Sequence, residues 1–220
     1  MKDFFIGLAR EEHLYYVKDI ENAIIDASRV KGTGLAKRSR EYLSAKIHEG
    51  KAIIAHTKEG EFAGFCYIES WGQKKFVANS GLIVMEKFRG CGLAMKIKEE
   101  AFKLSRRTFP EALMFGLATS LAVMKINSSL GYKPVTFSEL TADDEFWKGC
   151  QTCSYYDILV RTNRTHCLCT AMLYDPEKVE KRIRKKNKTK NRSINGRNKL
   201  SGKSIEIPFL SRNGKKENKP

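Results

Sequence analysis

The 220-residue chain has no run of 18 uninterrupted apolar residues, which is roughly what a helix needs to cross a bilayer. Its first stretch, "MKDFFIGLAREEHLYY", turns acidic after a short apolar patch. It lacks the long apolar core and small-residue cleavage site of a secretory signal. The expectation is a cytoplasmic protein without membrane contacts. No internal repeat is visible, which argues against a solenoid or propeller. Six cysteines in a reducing compartment do not make a disulfide framework. Acidic residues are in short supply, 25 against 41 Lys and Arg, for a net charge of +16. The shortage is local. Residues 176–220 hold 16 Lys and Arg against 4 Asp and Glu, leaving the rest of the chain nearly balanced. The high pI therefore describes a tail, and does not make the body a nucleic-acid binder.

Hydrophobic periodicity divides the body into elements. Leu14, Val17, Ile20, Ile24, Ile25 and Ala27 fall at helical spacing over 11–31, and "GTG" at 32–34 ends that helix. A second helix is predicted from Ser39 as N-cap through Ile47, with Gly50 just beyond its end. "KAIIAHT" (51–57), "FAGFCYIESW" (62–71) and "FVANSGLIVM" (76–85), separated by the turns "KEGE" and "GQKK", predict a three-stranded antiparallel meander. Next come a helix over 92–106, a buried apolar strand over 112–119 and a short helix over 121–130 stopped by Gly131. Two more strands are predicted, over 132–140 and over "YYDILVR" (155–161). Strand–helix–strand in the middle requires one parallel crossover, so the fold class is α/β with a mixed sheet.

The segment "EKFRGCGLAMKIKEEAF" (86–102) sets a glycine-rich elbow between a buried strand and a helix. Backbone N–H groups at a helix N-terminus, with no side chains in the way, suit a pyrophosphate. The phosphate loop of nucleoside triphosphatases needs a Lys-Ser/Thr pair after its last glycine, where this chain has Leu93-Ala94. The dinucleotide fingerprint needs a third glycine, and position 95 is Met. The pattern Arg/Gln-x-x-Gly-x-Gly/Ala is met by Arg89, Gly92 and Ala94.

That pattern, with "LIVMEKFRGCGLAMKIKEEAF" upstream and "NSSLGYKPVTF" downstream, resembles the acyl-CoA-binding and closing segments of the GNAT N-acetyltransferases over about residues 10–160. The resemblance implies the GNAT fold, in which the central strands splay and acyl-CoA lies in the resulting V. Pantetheine would pair with the backbone of Ile83, Val84 and Met85. The pyrophosphate would rest on Arg89, Gly90, Cys91, Gly92, Leu93 and Ala94. A neutral amine would attack the thioester directly in a ternary complex.

The sequence departs from the family where a tyrosine often serves as acid to the CoA thiolate: that position is Asn127, and an amide is a poor proton donor. Asn127 either positions the thiol or pantetheine, or Tyr132 or a water takes the acid's place, or the thiolate leaves unprotonated. Ser120 stands where an asparagine is common. Glu69, near the end of the second meander strand, is the best-placed carboxylate for a base; a solvated strand-end charge is the plainer alternative. Glu86 reads as a structural carboxylate near a helix N-terminus.

The loop "VKGTGLAKRSREY" lies where this fold covers its acceptor, and Lys37, Arg38 and Arg40 suit a carboxylate-bearing amine. "GTGLAKRS", "LAVMKINSSLGYKPVTFSELTADDEFWKGC" and "CLCTAMLYDP" further resemble short bacterial acyltransferases of the N-acylglutamate synthase type. This implies acetyl or succinyl transfer to the α-amino group of glutamate, in arginine biosynthesis. Polyamines and protein amines are the alternative acceptors; the basic loop argues against a basic peptide by like-charge repulsion.

Cys150-x-x-Cys153 and Cys167-x-Cys169 form a four-thiol set in a cysteine-rich segment, 150–170. Paired thiolates suit a structural tetrahedral Zn²⁺; four reduced thiols in the core are the alternative. The run "KRIRKKNKTKNR" has no interleaved aromatics, so base stacking is not expected. Residues 1–175 are thus read as an acyltransferase domain and 176–220 as a basic disordered tail, anion-binding at most. The rival class is an RNA- or ribosome-associated protein that uses this tail.

Overall fold

The computed structural model describes residues 3–182 and 184–185. The strand Ala52–Thr57 shows why the sheet became the middle layer. Its side chains alternate between faces, and both faces are covered: Ile53 and Ala55 belong to one core, Ala52 and Ile54 to another. An uninterrupted apolar "AIIA" is what a strand buried on both sides requires.

Seven strands, β1 (Phe4–Leu8), β2 (Ala52–Thr57), β3 (Phe62–Trp71), β4 (Phe76–Val84), β5 (Leu113–Ala118), β6 (Lys133–Val135) and β7 (Thr170–Tyr174), form one sheet in the order β1-β2-β3-β4-β5-β7-β6. All neighbours are antiparallel except β4 and β5. The helices are α1 (Val17–Arg29), α2 (Arg40–His48), α3 (Leu93–Thr108), α4 (Leu121–Ser129), α5 (Asp144–Lys148) and α6 (Tyr156–Arg161). Ile97, Ala101 and Leu104 of α3 pack on one face of the sheet with Ile53, Ala63 and Ile68. Ile20, Ile24, Leu43 and Ile47 of α1 and α2 pack on the other with Ile54 and Phe65. A third cluster joins Phe115 and Leu173 to Phe137, Phe146, Trp147 and Leu159 beyond β5.

The mixed sheet, the meander, the single parallel crossover and the helices after the elbow and after β5 agree with the sequence reading. Ser39 caps α2 as expected, its hydroxyl accepting from the Tyr42 amide at 3.3 Å. Four readings need correction. The short apolar patch at the start is a strand, β1, which the reading had not counted. "YYDILVR" is helix α6, with only Leu159 buried. The strand of 132–140 shrinks to Lys133–Val135 before a 3-10 turn at Phe137–Glu139. The strand that closes this side is instead β7, from the end of the cysteine-rich segment. Of the stretch read as a tail, residues 176–182 are helical, and 186–220 lie outside the described residues. The chain divides into two units, 1–179 and 180–220, and the first carries β1–β7 and α1–α6. Among the described residues no helix is long and apolar enough to cross a membrane.

Candidate active site

The β4–β5 ladder has three rungs, Phe76–Leu113, Val77–Met114 and Ala78–Phe115. Beyond Ala78 the strands separate. β4 continues to Val84 along β3, while β5 continues to Ala118 along β7. A bulge on β4 supports the divergence: Phe65 faces Ile83 and Tyr67 faces Ser80, so Gly81 and Leu82 together oppose Cys66. Gly81 takes φ +64°, and a Cβ there would come within 2.6 Å of the Tyr67 ring. Only glycine fits this kink.

The V holds a cavity of about 810 Å³, lined on one side by Ser80 to Val84 and on the other by Gly116 to Ala118. The elbow lies at its end. Gly90 (φ +79°) and Gly92 (φ +82°) are both left-handed, and a Cβ on either would meet nothing within 4 Å. Gly92 is the N-cap of the 16-residue α3, without a side-chain cap and without an acidic residue in the first turn. The first-turn N–H groups therefore have no side-chain acceptor, and the dipole meets no competing carboxylate. Arg89, Gly90, Gly92, Leu93 and Ala94 line the cavity, as do Ile83 and Val84.

Met85 and Cys91 are not among the residues that line the cavity. Met85 packs between the two main cores, and its N–H donates to Ala63 O at 3.0 Å, just past the end of β4. Cys91 is exposed, its thiol donating to Phe88 O at 3.1 Å. Asn127 does reach the cavity. It is 1% exposed, and its Oδ1 has no hydrogen-bond partner among the described residues. Ser120 lines the same cavity ahead of α4. Tyr132 does not. It is fully buried and donates to Asn79 Oδ1 at 2.9 Å, and burial pushes its phenol up. It is no substitute acid.

A smaller cavity of about 360 Å³ adjoins the first, and Arg38, Tyr67 and Ser80 line both. Arg38 is held by Nε to the Tyr67 hydroxyl at 2.9 Å and by Nη1 to the carbonyls of Lys37 and Gly149. Among the described residues no carboxylate pairs with it. Lys37 lines the smaller cavity too. Arg40 does not: its Nε pairs with Glu21 of α1 at 2.5 Å. Glu69 faces this cavity, but Lys46 sits directly on Oε2, Lys51 lies 3.6 Å from Oε1, and the Tyr42 hydroxyl donates at 3.3 Å. Two ammonium groups and a phenol hydroxyl already occupy the carboxylate. Glu69 is a hub that ties α2 to β3.

The four cysteines do not form the expected zinc centre. Among the described residues no group of three or more His, Cys, Asp or Glu side chains is placed to hold a metal ion. Cys150, Cys167 and Cys169 pack against the third hydrophobic cluster, and Cys150, Cys153 and Cys169 line the larger cavity. Burial and the neighbouring thiols push Cys150 up to about 11 and raise Cys169. His166 is held by the Thr165 hydroxyl.

Comparison with known proteins agrees with this geometry. No family model and no curated protein matches the sequence. Solved structures do match. A Mycobacterium tuberculosis protein in complex with CoA and NLQ is 15% identical, covers 78% of this chain and 98% of its own, and superposes with TM-score 0.57. The N-acetylglutamate synthase of Neisseria gonorrhoeae, complexed with CoA and N-acetyl-glutamate, is 14% identical over 80% of this chain (TM-score 0.56). The match spans only 35% of that longer chain. A mosquito arylalkylamine N-acetyltransferase-like protein is 14% identical over 79% of this chain and 100% of its own (TM-score 0.53). The splayed mixed sheet with its glycine elbow is the fold of the GNAT N-acetyltransferases.

Proposed function

We propose that the protein is an acyl-CoA-dependent N-acyltransferase. Its acceptor on this reading is the α-amino group of an acidic amino acid such as glutamate, and its donor is acetyl-CoA or succinyl-CoA. The donor side rests on the uncapped α3 N-terminus behind Gly90 and Gly92, which opens on a cavity walled by two diverging strands. Acyl-CoA supplies an activated thioester carbonyl, and the chain holds and orients it. The free polar edge of Asn127 at the cavity wall fits a pantetheine or thiol donor.

The acceptor assignment is carried by one observation. Arg38 brings a guanidinium, without a carboxylate of its own, to the place where the two cavities meet. Its Nη2, which the bonds to Tyr67, Lys37 and Gly149 leave unengaged, can donate to a carboxylate. A carboxylate held there would leave the amine of the same molecule free to reach into the V. The cationic wall of Lys37 and Arg38 disfavours polyamines by like-charge repulsion. A place in arginine biosynthesis and a cytoplasmic setting follow from this reading. The basic run 181–192 lies largely outside the described residues.

The test is to incubate the purified chain with acetyl-CoA or succinyl-CoA and a panel of amino acids, then identify products by mass spectrometry. Thiol dyes are unsuitable because the chain has six free cysteines of its own. An N-acylated acidic amino acid confirms the reading. Acylated spermidine or lysine peptide, with no amino-acid product, overturns the acceptor assignment. No CoA binding overturns the whole.

A further inference from the structure

Lys98 has no part in the site so far. It lies on α3, is 2% exposed, and lines the larger cavity. Its Nζ donates to Asn79 O at 3.2 Å. Asn79 is the first β4 residue past the last β4–β5 rung at Ala78, so the lysine caps a carbonyl left without a β5 partner, at the apex of the V. Opposite stands Gly116 of β5. A Cβ built there would lie 3.9 Å from Lys98 Nζ and 3.7 Å from Asn127 Nδ2. The two nitrogens therefore flank one point, which glycine leaves open. From β3 the Cys66 thiol faces the lysine, and after α4 the Tyr132 ring lies 5.9 Å from Nζ. Among the described residues no carboxylate pairs with it. Burial lowers its affinity for its proton, and the Cys66 thiol opposes this in part.

We infer that Lys98 delivers a proton to the departing CoA sulfur, from beside the Asn127 amide that cannot. This rests on the acyl-CoA reading above. The acceptor ammonium first loses a proton to water. The neutral nitrogen forms a bond to the acyl carbon, and the C–S bond breaks with its electron pair on sulfur. Lys98 gives an Nζ proton to that sulfur, and CoA leaves as the thiol. The new amide nitrogen sheds its remaining extra proton to water, and the neutral lysine regains one. Overall one proton is released. A buried ammonium without a counter-ion suits this task, since the nascent thiolate is the anion the site otherwise lacks.

Two variants of the full chain separate proton delivery from scaffolding. Lys98→Gln keeps an N–H donor for the Asn79 carbonyl and has no transferable proton. Lys98→Met has neither. In calorimetry the unsubstituted chain is expected to distinguish CoA from desulfo-CoA at alkaline pH, and Lys98→Gln to lose that distinction. Ultraviolet titration of bound CoA should show its thiol ionising about one pH unit higher or more in Lys98→Gln. The acyl-transfer kcat should fall about 100-fold with KM for acyl-CoA unchanged. If Lys98→Met fails to fold, Lys98→Gln carries the test. Lys98→Gln with an unaltered bound-thiol titration and kcat would overturn the assignment and leave the lysine a scaffold for the V. Failure of the unsubstituted chain to bind CoA would overturn the acyl-CoA reading, and this inference with it.

Discussion

Replacing Gly92 by Asp should separate ligand binding from stability. The position has φ +82°, and a Cβ there meets nothing within 4 Å. The steric cost is therefore backbone strain alone, about 1–2 kcal/mol for a left-handed non-glycine residue. The new carboxylate sits at the N-terminus of a helix that has no acidic residue in its first turn. There it recovers about 0.3–1 kcal/mol from the dipole. The melting temperature should fall by only a few degrees. A pyrophosphate on the same N–H groups meets the carboxylate at close range. Two like charges about 4 Å apart at an effective dielectric near 20 repel by about 4 kcal/mol, and solvent screening brings this to about 2–4. CoA affinity measured by calorimetry should drop about 30- to 700-fold. Gly92→Ala carries the strain without the charge and should lose far less. Affinity within about threefold of the unsubstituted chain in the Asp variant, with an intact fold, would refute the elbow as the pyrophosphate seat.

Arg38→Lys keeps the charge and loses both the Nε and Nη1 anchors and the Nη2 donor; steady-state kinetics should show KM for an acidic acceptor raised about tenfold or more, with KM for acyl-CoA unaltered. Glu69→Gln strips Lys46, whose side chain is 7% exposed, of its closest anion; denaturant melts should show a loss of about 2–4 kcal/mol. If the variant instead keeps its stability and loses the acidic limb of its pH–rate profile, the carboxylate is a base after all. In Gly64→Ala the new methyl would come within 2.7 Å of the Ile83 carbonyl and 2.6 Å of Ile97 Cδ1, so the chevron or melt should report about 1–3 kcal/mol of destabilisation.

What was legible in the sequence was local. The meander showed because alternation and turn residues repeat over short distances, and the elbow showed because Arg89, Gly92 and Ala94 are neighbours. Helix α6 was misread because "YYDILVR" holds three consecutive apolar residues, a run too short for periodicity to decide. β1 and β7 were missed because five residues carry too little pattern. The partners of two site candidates were illegible for another reason. Glu69 and Arg40 look alike as exposed charges in a string, and their partners, Lys46, Lys51 and Glu21, come together only in space. Lys98 carried one faint signal, a lysine directly after Ile97 on the buried side of an amphipathic helix.

The place of β7 bears on the order in which the fold can be completed. It follows β6 in the chain but sits between β5 and β6 in the sheet, pairing with both. β5 holds β4 by only three rungs and β7 by five. As the chain leaves the ribosome, the meander and α3 can assemble early. The far wall of the V waits until residue 174 has emerged, because β5 beyond its last rung to β4 is paired by β7. A nascent chain arrested before Thr170 would have the glycine elbow without a fixed opposite wall, so the cavity between them is completed only late in synthesis.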